Sequence, residues 1–136
     1  MNQNLYEILY KNFKSDLDKT CLEIPNYKKI SFRDLDILSA HFASFLNSLG
    51  LKKGDRMICQ IDKSLSAIGL YLGCLRTGVI YTPLNTSYTK NEVEYFINNI
   101  EPKLFVCRPE SKDIIENICS QLDVPSFIAL SLIHIS

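Results

Sequence analysis

From residue 56 onward the sequence keeps repeating one alternation: a short and almost wholly apolar run, then a capped segment with apolar residues three and four places apart. The runs are "RMICQI" (56–61), "VIYTPL" (79–84), "KLFVC" (103–107) and "SFIAL" (126–130). Strands this continuously apolar are buried on both faces, and burial on both faces demands helices above and below a sheet. Short links between strand and helix favour parallel neighbours joined by helical crossovers. The fold class this predicts is α/β, a partial parallel sheet flanked by helices.

The helical segments carry their own stop and start signals. Ser31 with Asp34 reads as a weaker capping box, and Phe32, Leu35, Leu38, Phe42, Phe45, Leu46 and Leu49 make one broad apolar stripe. Gly50 ends that helix, since glycine takes the left-handed conformation without steric cost, and Leu51 is placed for the contact that accompanies such a cap. Ser64 caps a second helix with Leu65, Ile68, Leu72 and Leu75 on one side, closed by Gly78 after Arg76. Thr89 and Glu92 form a full capping box for a third, with Val93, Phe96, Ile97 and Ile100 at helical spacing and Pro102 beyond its end. Ile114, Ile115, Ile118 and Leu122 mark a fourth. Ahead of all this, Leu5, Ile8, Leu9 and Phe13 predict a short amphipathic helix, and "TCLEI" pairs with "KKIS" across Pro25-Asn26 as a hairpin.

Composition narrows the functions open to such a chain. Its 136 residues suit one compact domain, and Lys+Arg and Asp+Glu are both 15. A formal net charge of zero offers no basic surplus for a phosphate backbone, so no nucleic-acid partner is expected. The apolar stretch Ala67 to Leu75 falls far below the ~20 residues of a membrane span, so none is expected, and the N-terminus has no secretory signal pattern. Cys21, Cys59, Cys74, Cys107 and Cys119 contain no CxxC pair and are odd in number, which points to small hydrophobes in a reducing compartment, by default the cytoplasm.

No motif for chemistry stands out. The five glycines are spread over helix ends, a turn and one helix, so they make no phosphate cradle; Gly69 and Gly73 read as close packing of a helix on the sheet. His41 and His134 have no Cys, Asp or Glu at metal-ligand spacing. Asp55-Arg56 reads as a turn with some ion pairing, and Lys28-Lys29 and Lys52-Lys53 as solvated turns. Pro83 must close its strand because it has no amide hydrogen, and it delivers the uncharged loop Asn85-Thr86-Ser87 to the carboxyl end of the sheet, where open parallel sheets place ligands. A helix also needs a polar link before its cap, and that plainer reading is preferred. No catalytic, cofactor-binding or metal-binding residue is assigned.

Three segments, "SFRDLDILSAHFASFLNSLGLKKGDR", "KSLSAIGLYLGCLRTGVIYTPLN" and "YTKNEVEYFINNIEPKLFVC", resemble in order and spacing the N-terminal part of the adenylate-forming superfamily, the acyl-CoA synthetases and their relatives. Within it, "PLNTSYTKNEVEYFINNIEPKLFVC" is most similar to malonyl-CoA synthetases, which also run from Leu-Asn-Thr through Tyr-Thr to Tyr-Phe and Glu-Pro; many relatives carry a second proline where Thr86 stands. The resemblance implies a parent enzyme that joins a small carboxylic acid to coenzyme A through an acyl adenylate, using ATP and Mg2+. It also implies that the Ser/Thr/Gly-rich phosphate loop, the nucleotide contacts, the arginines for a second carboxylate and the catalytic lysine lie beyond Ser136. Residues 1–130 are then a partial N-terminal AMP-binding domain, inactive alone and needing no cofactor. "SLIHIS", residues 131–136, resembles the translation of a sequencing adapter rather than a family element, with an ordinary apolar strand as the alternative. The competing functional class is a stand-alone α/β binding or interaction module without catalysis.

Overall fold

The computed structural model describes residues 4–24 and 28–131. His134, most of the 131–136 tail and the Pro25-Asn26 turn lie outside the described residues. The chain opens with α1 (Leu5–Phe13) and a 3-10 turn, followed by the antiparallel pair β1 (Thr20–Ile24) and β2 (Lys28–Ser31). Five elements then alternate after α2 (Phe32–Ser48): β3 (Arg56–Gln60), α3 (Leu65–Thr77), β4 (Ile80–Pro83), α4 (Lys90–Ile100) and β5 (Leu104–Cys107). A second 3-10 turn, α5 (Lys112–Gln121) and β6 (Ser126–Ala129) complete it.

β4, β3, β5 and β6 lie in that order in one sheet, and each neighbouring pair is parallel. The strand alternation divides its residues between two cores. Met57, Cys59, Leu104 and Val106 face α2 and α3, joined by Leu38, Phe42, Leu46, Leu70 and Cys74. Ile58, Phe105 and Cys107 face the other way, against Val93 and Ile97 of α4 and Ile115 and Ile118 of α5. The expected class, a parallel sheet with helices on both faces, is therefore the observed one.

Most of the expected caps form. The Ser31–Asp34 box is complete in both directions, as is the one at Thr89 and Glu92, and Ser64 Oγ accepts the amide of Ala67. Gly50 follows α2 with φ +81°, and Leu51, buried behind it, returns its amide to Leu46 O at 3.2 Å. Asp55 accepts the Lys52 amide at 2.8 Å, while Arg56 meets Glu101 at 4.0 Å instead of its sequence neighbour.

Three helix readings need correction. In α1 the residue that is buried is Tyr6; Leu5 and Ile8, expected to face the core, are 51% and 40% exposed. A polar knot decides this orientation: Tyr6 Oη donates to Asp36 Oδ1 at 2.5 Å, and Arg76 Nη1 reaches the same oxygen at 3.0 Å with its guanidinium over the Tyr6 ring. In α5, Ile114 points to solvent at 61% exposure. Gly69 and Gly73 pack against α2, not against the sheet: a Cβ on Gly73 would lie 2.8 Å from Phe42 Cβ and 3.0 Å from the Ala43 amide nitrogen. That contact also rotates the buried face of α2 toward Ser39 and Ala43, leaving Phe32 and Phe45 half-buried.

Among the described residues, no helix is long and apolar enough to cross a membrane. Cys59, Cys74, Cys107 and Cys119 are buried and unoxidised, two in each core, which fits their reading as small hydrophobes.

Candidate functional site

The chain leaves β3 toward β4 on one side and then returns to place β5 on the other side of β3. Such a reversal opens a crevice between the carboxyl ends of the two strands, the place where open α/β sheets take ligands. Here that edge carries Gln60, Asp62 and Arg108, with the Asn85 loop following the end of the neighbouring β4.

Gln60 is the residue that builds the edge. It is a polar side chain at 6% exposure after the apolar residues Met57, Ile58 and Cys59, and its Nε2 donates to Asn85 O at 2.9 Å. Leu84 N donates to Cys59 O at 2.9 Å just before it, so the loop is tied to β3 by both main chain and side chain. Asn85 O accepts a second bond, from Tyr88 N at 3.2 Å, which uses the two acceptor positions a carbonyl has. The Asn85 side chain folds back on its own loop: Oδ1 accepts from Ser87 N at 2.9 Å and from Ser87 Oγ at 2.7 Å. The loop thus enters the Thr89 capping box in a fixed shape, with Asn85 and Ser87 exposed.

Across the crevice, Arg108 follows β5 and Asp62 follows β3. Arg108 Nη1 stands 3.7 Å from Asp62 Oδ1, a loose pair, and the buried Nε of Arg108 has no hydrogen-bond partner in the protein. Neither the arginine nor the Gln60 tether was assigned a role from sequence. A glutamine closing the apolar run Met57-Ile58-Cys59 was the available signal for the second; nothing local marked the first.

The groups gathered here are suited to binding and positioning. Ser87 Oγ commits its proton to the Asn85 carboxamide oxygen, which is no general base. ATP would need several converging amide or cationic donors for its phosphates, whereas one arginine faces one aspartate here and the loop contains no glycine. Among the described residues no group of three His, Cys, Asp or Glu comes together that could hold a metal ion. The residues present therefore do not fit ATP or Mg2+, and no reaction step is routed through either. The buried thiols are equally unsuited to attack: burial pushes Cys59 and Cys107 up to about 11 and Cys74 and Cys119 up to about 12.

A parallel sheet with this order, covered on both faces and carrying a polar loop at its carboxyl edge, defines an open α/β scaffold with helices on both sides. The AMP-binding enzyme family matches residues 9–133, nearly the whole chain, and the protein belongs to that family. It is similar to MatB from Rhodopseudomonas palustris, in apo and ATP-bound structures, with a TM-score of 0.85 and 36% identity over 95% of this chain and 26% of MatB. It is 29% identical over 98 residues to the 3-hydroxybenzoate–CoA/4-hydroxybenzoate–CoA ligase of Thauera aromatica, covering 72% of this chain. It is 28% identical over 118 residues to the nonribosomal peptide synthetase GRA1 of Gibberella zeae. The chain spans 19% of the length of the ligase and 2% of the synthetase. The match with MatB agrees with the expected assignment to the N-terminal part of an adenylate-forming large domain.

Proposed function

We propose that residues 1–130 are the N-terminal portion of an ATP-dependent acid–CoA ligase, in which a carboxylic acid, ATP and coenzyme A give acyl-CoA, AMP and pyrophosphate. The acid is malonate or a close dicarboxylate. The observation that carries this reading is the likeness to MatB, 36% identity over 95% of the chain. The resemblance of Pro83 to Cys107 to malonyl-CoA synthetases supports the narrower substrate assignment.

In this reading the described residues supply a scaffold. They hold the Asn85 loop against the end of β3, and ATP, Mg2+, coenzyme A and the acid are bound by groups of the complete protein. In this reading the chain alone is inactive, and residues 131–136, of which 131–133 fall within the family match, are an adapter-derived tail, with an ordinary apolar strand as the alternative. Five free cysteines, four of them buried, support a reducing compartment, and we place the protein in the cytoplasm.

Reading the source DNA past the Leu130 codon tests the proposal directly. A continuing frame that encodes a Ser/Thr/Gly-rich loop with a lysine is expected, and an immediate stop codon contradicts it. In the completed enzyme, acid-dependent pyrophosphate release should be greatest with malonate; equal rates with acetate and longer monoacids would remove the dicarboxylate assignment alone. Calorimetry of the present chain with ATP should show no binding, and a saturable signal at micromolar ATP would overturn the scaffold role.

A further inference from the structure

The two ladders that flank β3 stop at different places. β4 pairs with it as far as Pro83 opposite Cys59, while β5 continues to Cys107 opposite Gln60. On the β4 side the main chain closes with the bond from Leu84 N to Cys59 O, so the pairing is over where Gln60 begins. This is the carboxyl end of the sheet, where an open α/β fold receives its ligands. The Gln60 side chain carries the connection beyond the ladder, from the end of β3 to the main-chain oxygen of Asn85.

Folding makes little demand for that bond. With the glutamine donor removed, Asn85 O keeps the Tyr88 amide at 3.2 Å and Leu84 stays bonded to Cys59. No main-chain acceptor is stripped of its last partner, so the usual penalty for deleting half of a hydrogen bond is largely avoided. An apolar side chain would also suit a position that follows Met57, Ile58 and Cys59, all buried. What the tether adds is location. It fixes residue 85 relative to β3, and the bonds from Ser87 N and Ser87 Oγ to Asn85 Oδ1 pass that placement along the loop. Placement of this kind matters to ligand capture far more than to stability, because a displacement of about 1 Å can cost a site much of its rate.

We infer that Gln60 is a positioning residue of the ligase, acting through Asn85 to hold the loop where one of the three substrates is received. The inference rests on the ligase reading, and two experiments keep their failures apart. Gln60→Met preserves the length of the side chain and removes its donor, while Gln60→Glu sets an acceptor against the Asn85 carbonyl.

In the 136-residue chain, amide hydrogen exchange followed by NMR requires no activity. Gln60→Met should speed exchange at Ser87 and Tyr88 about tenfold and leave Ile58 and Val106 unchanged, and Gln60→Glu should speed the same two further. In the complete ligase, ATP, malonate and coenzyme A are each varied in turn. Gln60→Met should raise KM for one of them about tenfold and keep kcat and the other two KM values within about twofold. Unchanged exchange at Ser87 and Tyr88 overturns the tether whatever the ligase does. Three unchanged KM values overturn the positioning role, as does a fall in kcat with all three KM values moving together, the mark of general damage. A complete protein that activates no acid before substitution removes the ligase reading and the positioning role with it, and the exchange result still decides the tether.

Discussion

On one face of the sheet Met57, Cys59, Leu104 and Val106 meet α2 and α3, two helices pressed together where Gly69 and Gly73 have no side chains. On the other, Ile58, Phe105 and Cys107 meet α4 and α5, each held by an apolar stripe and, for α4, a capping box. The first face is specified by what is missing between helices, the second by what is present along them. A stripe tolerates small shifts of its helix, but a backbone contact at a glycine does not, so the two faces should respond differently to substitution.

The largest effects should come from emptying either core. Phe105→Ala, at a fully buried position, should cost about 3–5 kcal/mol and Leu70→Ala about 2–5 kcal/mol in urea unfolding. A cost below about 1 kcal/mol at either site would show that its face is not a packed core. Next, Gly73→Ala should destabilise by about 1–3 kcal/mol, because Phe42 and Ala43 main-chain atoms stand in the way, even though alanine favours a helix by about 1 kcal/mol. Gly69→Ala should cost less, since the atoms it meets belong to the Leu38 and Phe42 side chains; the reverse order would put the close contact in the wrong place.

On the α4 side, Thr89→Ala should cost about 1 kcal/mol by breaking the capping box, and calorimetric melting would detect it. The smallest difference is one of pH. Each core holds two thiols raised by burial from 9.0 to about 11 or 12. The unfolded chain ionises first, so their contribution is complete below pH 9 and is lost as pH rises toward 11 and 12. Urea midpoints should therefore stay level from neutrality to about pH 9 on this account and fall above it. Replacing Cys59 or Cys119 by alanine should flatten the alkaline slope to a similar degree, one from each face.

The same contrast explains what could be read in advance. α4 and α5 are bounded by water on one side, so their spacing of Val93, Ile97, Ile115 and Ile118 announced them, and Ile114 is the one residue of that stripe facing out. The glycines of α3 stand out in the sequence, but a glycine contact does not name its partner, and the partner here is α2 instead of the sheet. α1 was misread for a different reason: its apolar residues lost to a hydrogen-bonded tyrosine whose partners, Asp36 and Arg76, lie 30 and more positions away in the sequence. At the carboxyl edge the Asn85 loop was placed by strand order, whereas Gln60, its anchor, and Arg108 depend on neighbours that only folding brings together.

The anchor has a bearing on how such a scaffold can diversify. Gln60 grips the main-chain oxygen of residue 85 and asks nothing of the side chains that follow. Substitutions at Thr86 could therefore alter what the loop presents while its placement stays inherited from the strand, a division of labour in which recognition drifts and geometry does not.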